Sequence, residues 1–314
     1  MKIKRLIQIC FLGIALVFPA CNNKPKNVKA IKKSEDFPSE MVRFSPSEAN
    51  PVFKGTGTDT WDQKIRERGF ILFDDGIYKM WYTGYNNSMA KEKYLGYATS
   101  PDGVNWARYS DKPVFSGKWT EDVFVIKNNG LYYMYAEGEN DIAHLLVSKD
   151  GISWKEKGDL VIRSTKGDTI PGPYGTPSVW IENDKWYLFY ERNDSAVWIA
   201  TTNDKITWTN IQDEPVLIPG PEDYDRSAIA ANQVVKFRDK YYIYYHATSG
   251  DYHHANSPVL WSSNVAVSSD LIHWFKYPGN PIVECDHSSP ILVFDGKKPS
   301  LYTMHSEVCR YLPE

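Results

Sequence analysis

Cysteine is scarce, with four in 314 residues, which excludes a small scaffold held together by many disulfides. Their positions carry no zinc-ligand spacing. Long helical periodicity is also missing, which argues against a helical solenoid. Basic charge has no surplus: 36 Lys and Arg stand against 39 Asp and Glu, so the footprint of a nucleic-acid binder is lacking. The apolar run from Leu6 to Phe18 has 13 residues, short of the roughly 17–25 that a spanning helix needs. Aromatic residues are what the chain has in quantity. It holds 11 Trp, 21 Tyr and 13 Phe, which excludes a disordered chain and suits a β-rich or sugar-handling protein.

The first residues read as a processing segment. Lys2, Lys4 and Arg5 form a positive start, followed by the apolar run and by Phe18-Pro19-Ala20-Cys21. That tetrapeptide resembles a bacterial lipobox with Pro19 as an unusual second residue, and the resemblance implies lipidation of Cys21 after cleavage. An ordinary cleaved signal peptide is the alternative, and both readings export the protein. The expected organisation is a lipoprotein signal over 1–20, a polar tether over 21–40 and a catalytic domain over 41–314. Cleavage deletes three basic residues and no acidic ones, leaving 33 against 39. The expected location is a bacterial membrane, held by the lipid alone and facing the periplasm or the cell surface.

Four copies of one turn organise the remaining chain. Ser100-Pro101-Asp102-Gly103-Val104-Asn105-Trp106 recurs at Ser148–Trp154, Thr202–Trp208 and Ser268–Trp274. The Trp residues are 48, 54 and 66 positions apart, the length of a four-stranded propeller blade with generous loops. A second repeat, a polar turn followed by an aromatic strand, occurs five times. It begins at Asp74-Asp75-Gly76, Asn128-Asn129-Gly130, Asn183-Asp184-Lys185, Arg238-Asp239-Lys240 and Asp295-Gly296-Lys297. The expected fold is therefore all-β, a five-bladed β-propeller. If the last of these turns closes a hairpin, positions whose numbers sum to 594 face each other, which makes Cys285 and Cys309 a candidate cross-strand disulfide.

With their Asp-Gly turns and aromatic strands, these five units resemble the five-bladed propeller glycoside hydrolases of families 43, 32, 117 and 130. The resemblance covers nearly all of the mature chain and implies an exo-acting, inverting glycosidase that releases a terminal sugar from polysaccharide-derived oligosaccharides. Two alternatives stay open. One is a glycoside phosphorylase of the family 130 kind, favoured by Arg66, Arg68 and Arg226. The other is a non-catalytic carbohydrate-binding lipoprotein.

In a propeller, the starts of the inner strands and the exits of the second strands converge on one axial pocket. The repeat alignment puts Glu67-Arg68, Glu121-Asp122, Gly175-Thr176, Ala231-Asn232 and His287-Ser288 at the former, and Thr83, Glu137, Glu191, His246 and Ser306 at the latter. Glycoside hydrolysis needs two carboxyl groups flanking the scissile bond. The resemblance implies that Asp122 orients the substrate. It puts Arg68 where families 43 and 32 carry an acid, so Asp62 is the expected base or nucleophile, with Glu67 as rival. Blade three lacks the family 43 acid, leaving Glu191, Glu121 and His287 as candidates for the general acid. Trp61, Glu67, Arg68, Trp119, Glu121, Thr176, Arg226 and His246 are expected to bind sugar. No cofactor is required, although family 43 suggests an axial cation such as calcium. His253-His254 reads as a surface loop rather than a metal pair. Oligomeric state stays open.

Overall fold

A computed structural model describes residues 36–86, 93–251, 259–296 and 298–314, with the backbone alone at Glu67. Cys21 and the His253-His254 pair lie outside the described residues. None of the described helices is long and apolar enough to cross a membrane. The described chain forms five small sheets, one per blade, as the repeats require.

Blade one comprises Lys64–Asp74, Ile77–Tyr85, Tyr94–Ser100 and Ala107–Arg108, and blade two Glu121–Asn128, Leu131–Glu137, Ala143–Ser148 and Lys155–Asp159. Blade three comprises Ser178–Glu182, Lys185–Glu191, Val197–Thr202 and Thr207–Asn210, with Val161–Arg163 added in parallel at its outer edge. Blade four comprises Ala228–Phe237, Lys240–Thr248, Ser262–Ser268 and Trp274–Lys276. Blade five has Pro290–Val293, Ser300–Met304 and Glu307–Pro313 from the end of the chain, and Phe44–Pro46 from its beginning supplies the outer strand. That closure removes the open edge an unfinished ring would expose.

The repeated turns join third to fourth strands. In the first copy Ser100 Oγ accepts the Gly103 N–H at 2.9 Å, and Asp102 Oδ1 accepts Val104 and Asn105 N–H groups at 2.9 and 2.8 Å. The other three copies repeat this pattern at Asp150, Asp204 and Asp270. The fourth residue takes a left-handed φ of 69–77°, through Gly103, Gly151, Lys205 and Leu271. The turns also bind one blade to the next. Trp81 of blade one donates to the Gly151 carbonyl of blade two at 2.7 Å, and Tyr302 of blade five donates to the Gly103 carbonyl of blade one at 3.0 Å. Trp154, Trp208 and Trp274 each pack against an aromatic ring of the preceding blade, Trp81, Tyr135 and Phe189.

The register places Cys285 and Cys309 differently from the hairpin arithmetic. Pro290–Val293 pairs with Ser300–Met304, but Cys309 lies on the next strand, opposite Thr303. The two thiols are free, Cys285 exposed and Cys309 buried. The chain turns again after Met304, so a symmetry drawn through one hairpin does not reach Cys309.

Arg68 ties the inner strands together. It is fully buried, and its guanidinium donates to the carbonyls of Ala231 and Asn232 in blade four, both at 3.1 Å, and of Pro177 before blade three at 2.6 Å. A further short bond reaches the Asp122 carbonyl of blade two, and the Arg68 N–H donates to Asp122 Oδ1 at 3.1 Å. Blade five joins through Gln233, whose side chain accepts the Leu292 N–H at 2.7 Å and donates to the Leu292 carbonyl at 3.1 Å. Removing the guanidinium leaves several carbonyls unsatisfied and a buried carboxylate without its counter-charge. Arg68→Met is therefore expected to lose roughly 3–5 kcal/mol of stability, read as a lower midpoint in urea unfolding.

Candidate active site

The inner strands do not run regularly to the axis. Pairing registers shift between Arg66 and Phe70, between Glu121 and Phe124, and between Ala231 and Gln233. Such bulges re-aim side chains. Asp122, Thr176 and Ser289 hold φ values of 47°, 43° and 58°, a cost that non-glycine residues bear mainly where geometry is imposed by function or surroundings.

These devices line a cavity of about 490 Å³. Its wall contains the carboxyl groups of Glu121, Asp122, Glu137, Asp141, Glu191 and Asp194, together with Arg66, the imidazoles of His246 and His305, the Trp261 ring and the hydroxyls of Thr176, Ser288 and Ser289. Glu191 is held from two sides, accepting N–H groups of Gly175 at 2.9 Å and Asp194 at 2.5 Å. Glu137 Oε2 accepts the Thr176 N–H at 2.9 Å. Gly175 has to be glycine: a Cβ there would come within 2.6 Å of Glu191 Oε1 and closer still to Glu137 Oε2.

Burial and crowding push four of these carboxyl groups, Glu121, Asp122, Glu137 and Glu191, toward their neutral forms. Glu137 is raised well above the usual range by burial and by the charges of Asp122 and Glu191. Burial, then the Asp194 charge, pushes Glu191 up to about 8. Glu121 rises through burial and the neighbouring Asp122, against the pull of Lys93. Asp122 also rises through burial, opposed by the Arg68 guanidinium. Burial pulls Arg68 down to about 10, so it stays cationic near neutrality, and pulls His246 down to about 3, so its ring is neutral. His246 Nδ1 lies 3.1 Å from Asn232 Nδ2, and Trp261 packs edge-on against its ring at 5.0 Å.

The cavity gathers Asp122, Glu121, Glu191, Thr176 and His246 from the sequence candidates. Trp119 stands behind Glu121, donating Nε1–H to its Oε1 at 2.8 Å. The others fall elsewhere. Asp62 is buried away from the cavity wall, where it accepts Arg108 Nε–H at 2.7 Å, Tyr82 O–H at 3.1 Å and Thr60 O–H at 3.0 Å; these donors fix it as an anchor for its loop. Trp61 stacks on Tyr82 at 5.8 Å instead of offering a free platform. Arg68 is spent on backbone carbonyls and presents no surface to a sugar. Arg226 is exposed, bonded to the Ser249 carbonyl and paired with Asp223 at 3.7 Å. His287 packs against Tyr311, away from the cavity, and the nearby histidine on its wall is His305.

Asp141, Asn193, Asp194, Trp261 and His305 escaped the sequence reading because they sit outside the strands of the repeated register, Asp141 at the end of a short 3-10 helix and the others on loops. Glu137 occupies the same second-strand exit as Glu191, which was its signal. The positive charge on the axis is the Arg68 guanidinium. Among the described residues no group of three or more His, Cys, Asp or Glu has metal-holding geometry.

Glu191 gives the site a pH signature. Between pH ~4.3, where an unfolded Glu ionises, and pH 8, folding retains a proton that the unfolded chain has released. Its contribution to stability therefore falls as pH rises through that window. Glu191→Gln is expected to shrink the difference in urea midpoint between pH 5 and pH 8.

No family model matches the chain. A 1,2-β-oligomannan phosphorylase of Thermoanaerobacter sp. (strain X514) is 27% identical over 225 residues, covering 66% of this chain and 72% of that protein. A β-1,2-mannobiose phosphorylase from Listeria innocua, solved with β-1,2-mannobiose, superposes with a TM-score of 0.64 at 15% identity, covering 86% of this chain and 96% of the other. Another structure belongs to work on family 130, whose mannoside phosphorylases include glycoside hydrolases that target β-1,2-mannosidic linkages in Candida mannan. It gives a TM-score of 0.68 at 15% identity, covering 86% and 93%. The chain is thus a five-bladed β-propeller whose structural neighbours are mannoside phosphorylases and glycosidase-like propellers.

Proposed function

We propose that this protein cleaves β-mannosidic bonds in oligosaccharides, with inorganic phosphate as the attacking group. The observation that carries this reading is the sequence similarity to an oligomannan phosphorylase across two thirds of the chain. The cavity supports it with a graded set of acids. Glu137, strongly biased toward its protonated form, is the proposed general acid and gives its proton to the glycosidic oxygen. Asp122, whose ionised form Arg68 favours through its charge and N–H, orients the sugar as an anion. A phosphate oxygen attacks the anomeric carbon, the bond to the leaving oxygen breaks, and the products are a sugar 1-phosphate and an oligosaccharide shorter by one unit. Arg66 is the cationic side chain of the wall that faces such an anion.

A second reading rests on that same wall. Six carboxyl groups line it against one arginine, an environment that opposes a phosphate dianion and suits water, with Asp122 as its activating base. Neutral buffer, β-1,2-mannobiose or mannotriose, and the presence or absence of phosphate separate the two. Mannose 1-phosphate formed only with phosphate supports phosphorolysis, and free mannose formed regardless moves the assignment to hydrolysis. Binding without either product leaves a carbohydrate-binding propeller. Asp122→Asn keeps a residue tolerant of left-handed backbone, and is expected to lower kcat/KM by about 10²–10⁴-fold.

We also propose that the enzyme works outside the cytoplasm, held by a lipid on Cys21. Cys21→Ser is expected to abolish labelling with radioactive palmitate.

A further inference from the structure

Lys93 immediately precedes the third strand of blade one, and its side chain is only 9% exposed. Its ammonium sits over the Tyr85 ring at 4.2 Å and lies 5.7 Å from the Trp119 ring. It also lies 3.6 Å from Glu121 Oε2, while Trp119 Nε1 donates to Glu121 Oε1 at 2.8 Å. The Lys93 carbonyl accepts the Thr120 N–H at 3.3 Å, so the segment carrying the ammonium is tied to the residue just before Glu121. Each oxygen of this pocket-wall carboxylate therefore has a partner on the side away from the cavity. A lysine enters such a place at a desolvation cost, visible as the lowered pKa of its ammonium, and two aromatic faces offset part of that cost.

We propose that Lys93 is a positioning residue that holds Glu121 as a fixed, ionised hydrogen-bond acceptor on the cavity wall, where it receives a substrate hydroxyl. The proposal rests on the glycoside reading for the identity of the substrate. The groups that bear on Glu121 come from four directions. Asp122 lies on its own strand, Glu137 opposite it across the ladder, Arg66 on blade one, and Lys93 ahead of the third strand of that blade. The two acids oppose its ionisation and the two bases favour it. Taking Lys93 away leaves Arg66 and the Trp119 N–H against burial and two carboxyl groups, so the Glu121 carboxyl takes up a proton more readily and changes from acceptor to donor.

The titration of Glu121 tests this without any substrate. Glutamate labelled with ¹³C at the carboxyl carbon is followed by NMR in the native protein, Lys93→Met, Lys93→Gln and Lys93→Arg, with Glu121 assigned from Glu121→Gln. In the two uncharged variants the Glu121 midpoint is expected to rise by about one pH unit or more, while Lys93→Arg stays near native. A midpoint that does not move in whichever uncharged variant folds overturns the proposal. Kinetics with β-1,2-mannobiose test the substrate half. KM is expected to rise about tenfold in the uncharged variants with a smaller change in kcat, the acid limb of kcat/KM moving upward with the NMR midpoint. A titration that moves while KM stays constant removes the hydroxyl-binding role. A native protein that turns over no glycoside overturns the substrate assignment, and the NMR result still decides whether Lys93 controls Glu121.

Discussion

The axial guanidinium is the constraint on which the rest depends. Within a propeller blade the ladder satisfies backbone groups, but neighbouring blades share no ladder, so carbonyls of the inner strands that face the axis need another donor. Arg68 supplies it to blades two and four and to the segment entering blade three. A guanidinium suits this work because its donors are arranged in a rigid planar fork and it holds its charge where a lysine would lose it. Burial lowers it to about 10 and leaves it cationic.

That charge also orders the acids above it. With several carboxyl groups in one buried cavity, ionisation of all of them is prohibitive, and protons distribute according to which sites have counter-charges. Asp122 has Arg68 through both charge and N–H. Glu121 has Lys93 and Arg66. Glu137 accepts the Thr176 N–H, and burial together with the charges of Asp122, Glu191 and Glu121 pushes it toward the protonated form, although the Arg68 charge reaches it as well. A structural cation placed for backbone reasons thus opposes the effect of burial most directly at Asp122, where it adds an N–H bond to its charge, and leaves Glu137 the more strongly biased toward its protonated form.

The scaffold accommodates this charge because the blades are joined by elements remote from the cavity. Aromatic residues of one blade pack on, and donate to, the Asp-turn of the next, while the strand Phe44–Pro46 completes the last sheet. Bulges and left-handed residues at the strand starts then aim polar side chains inward without weakening those joints.

The blade repeat, the turn chemistry and the inward positions of Asp122, Glu121, Glu191, Thr176 and His246 were legible in the sequence, because each follows from a local pattern recurring at a fixed offset. Glu137 carried the same signal. Asp62, Trp61, Arg226 and His287 pointed to the cavity by chemistry or nearness in sequence, and the structure gives them other partners: Arg108 for Asp62, Tyr82 for Trp61, Asp223 for Arg226 and Tyr311 for His287. Whether a polar side chain lines a cavity or anchors a loop depends on donors from distant blades, and no local pattern encodes them. The same holds for Arg68, which by sequence alone occupies a sugar-facing position and in the fold meets carbonyls more than 100 residues away. Repetition along the chain determined the architecture; closing the ring decided which charges meet on its axis.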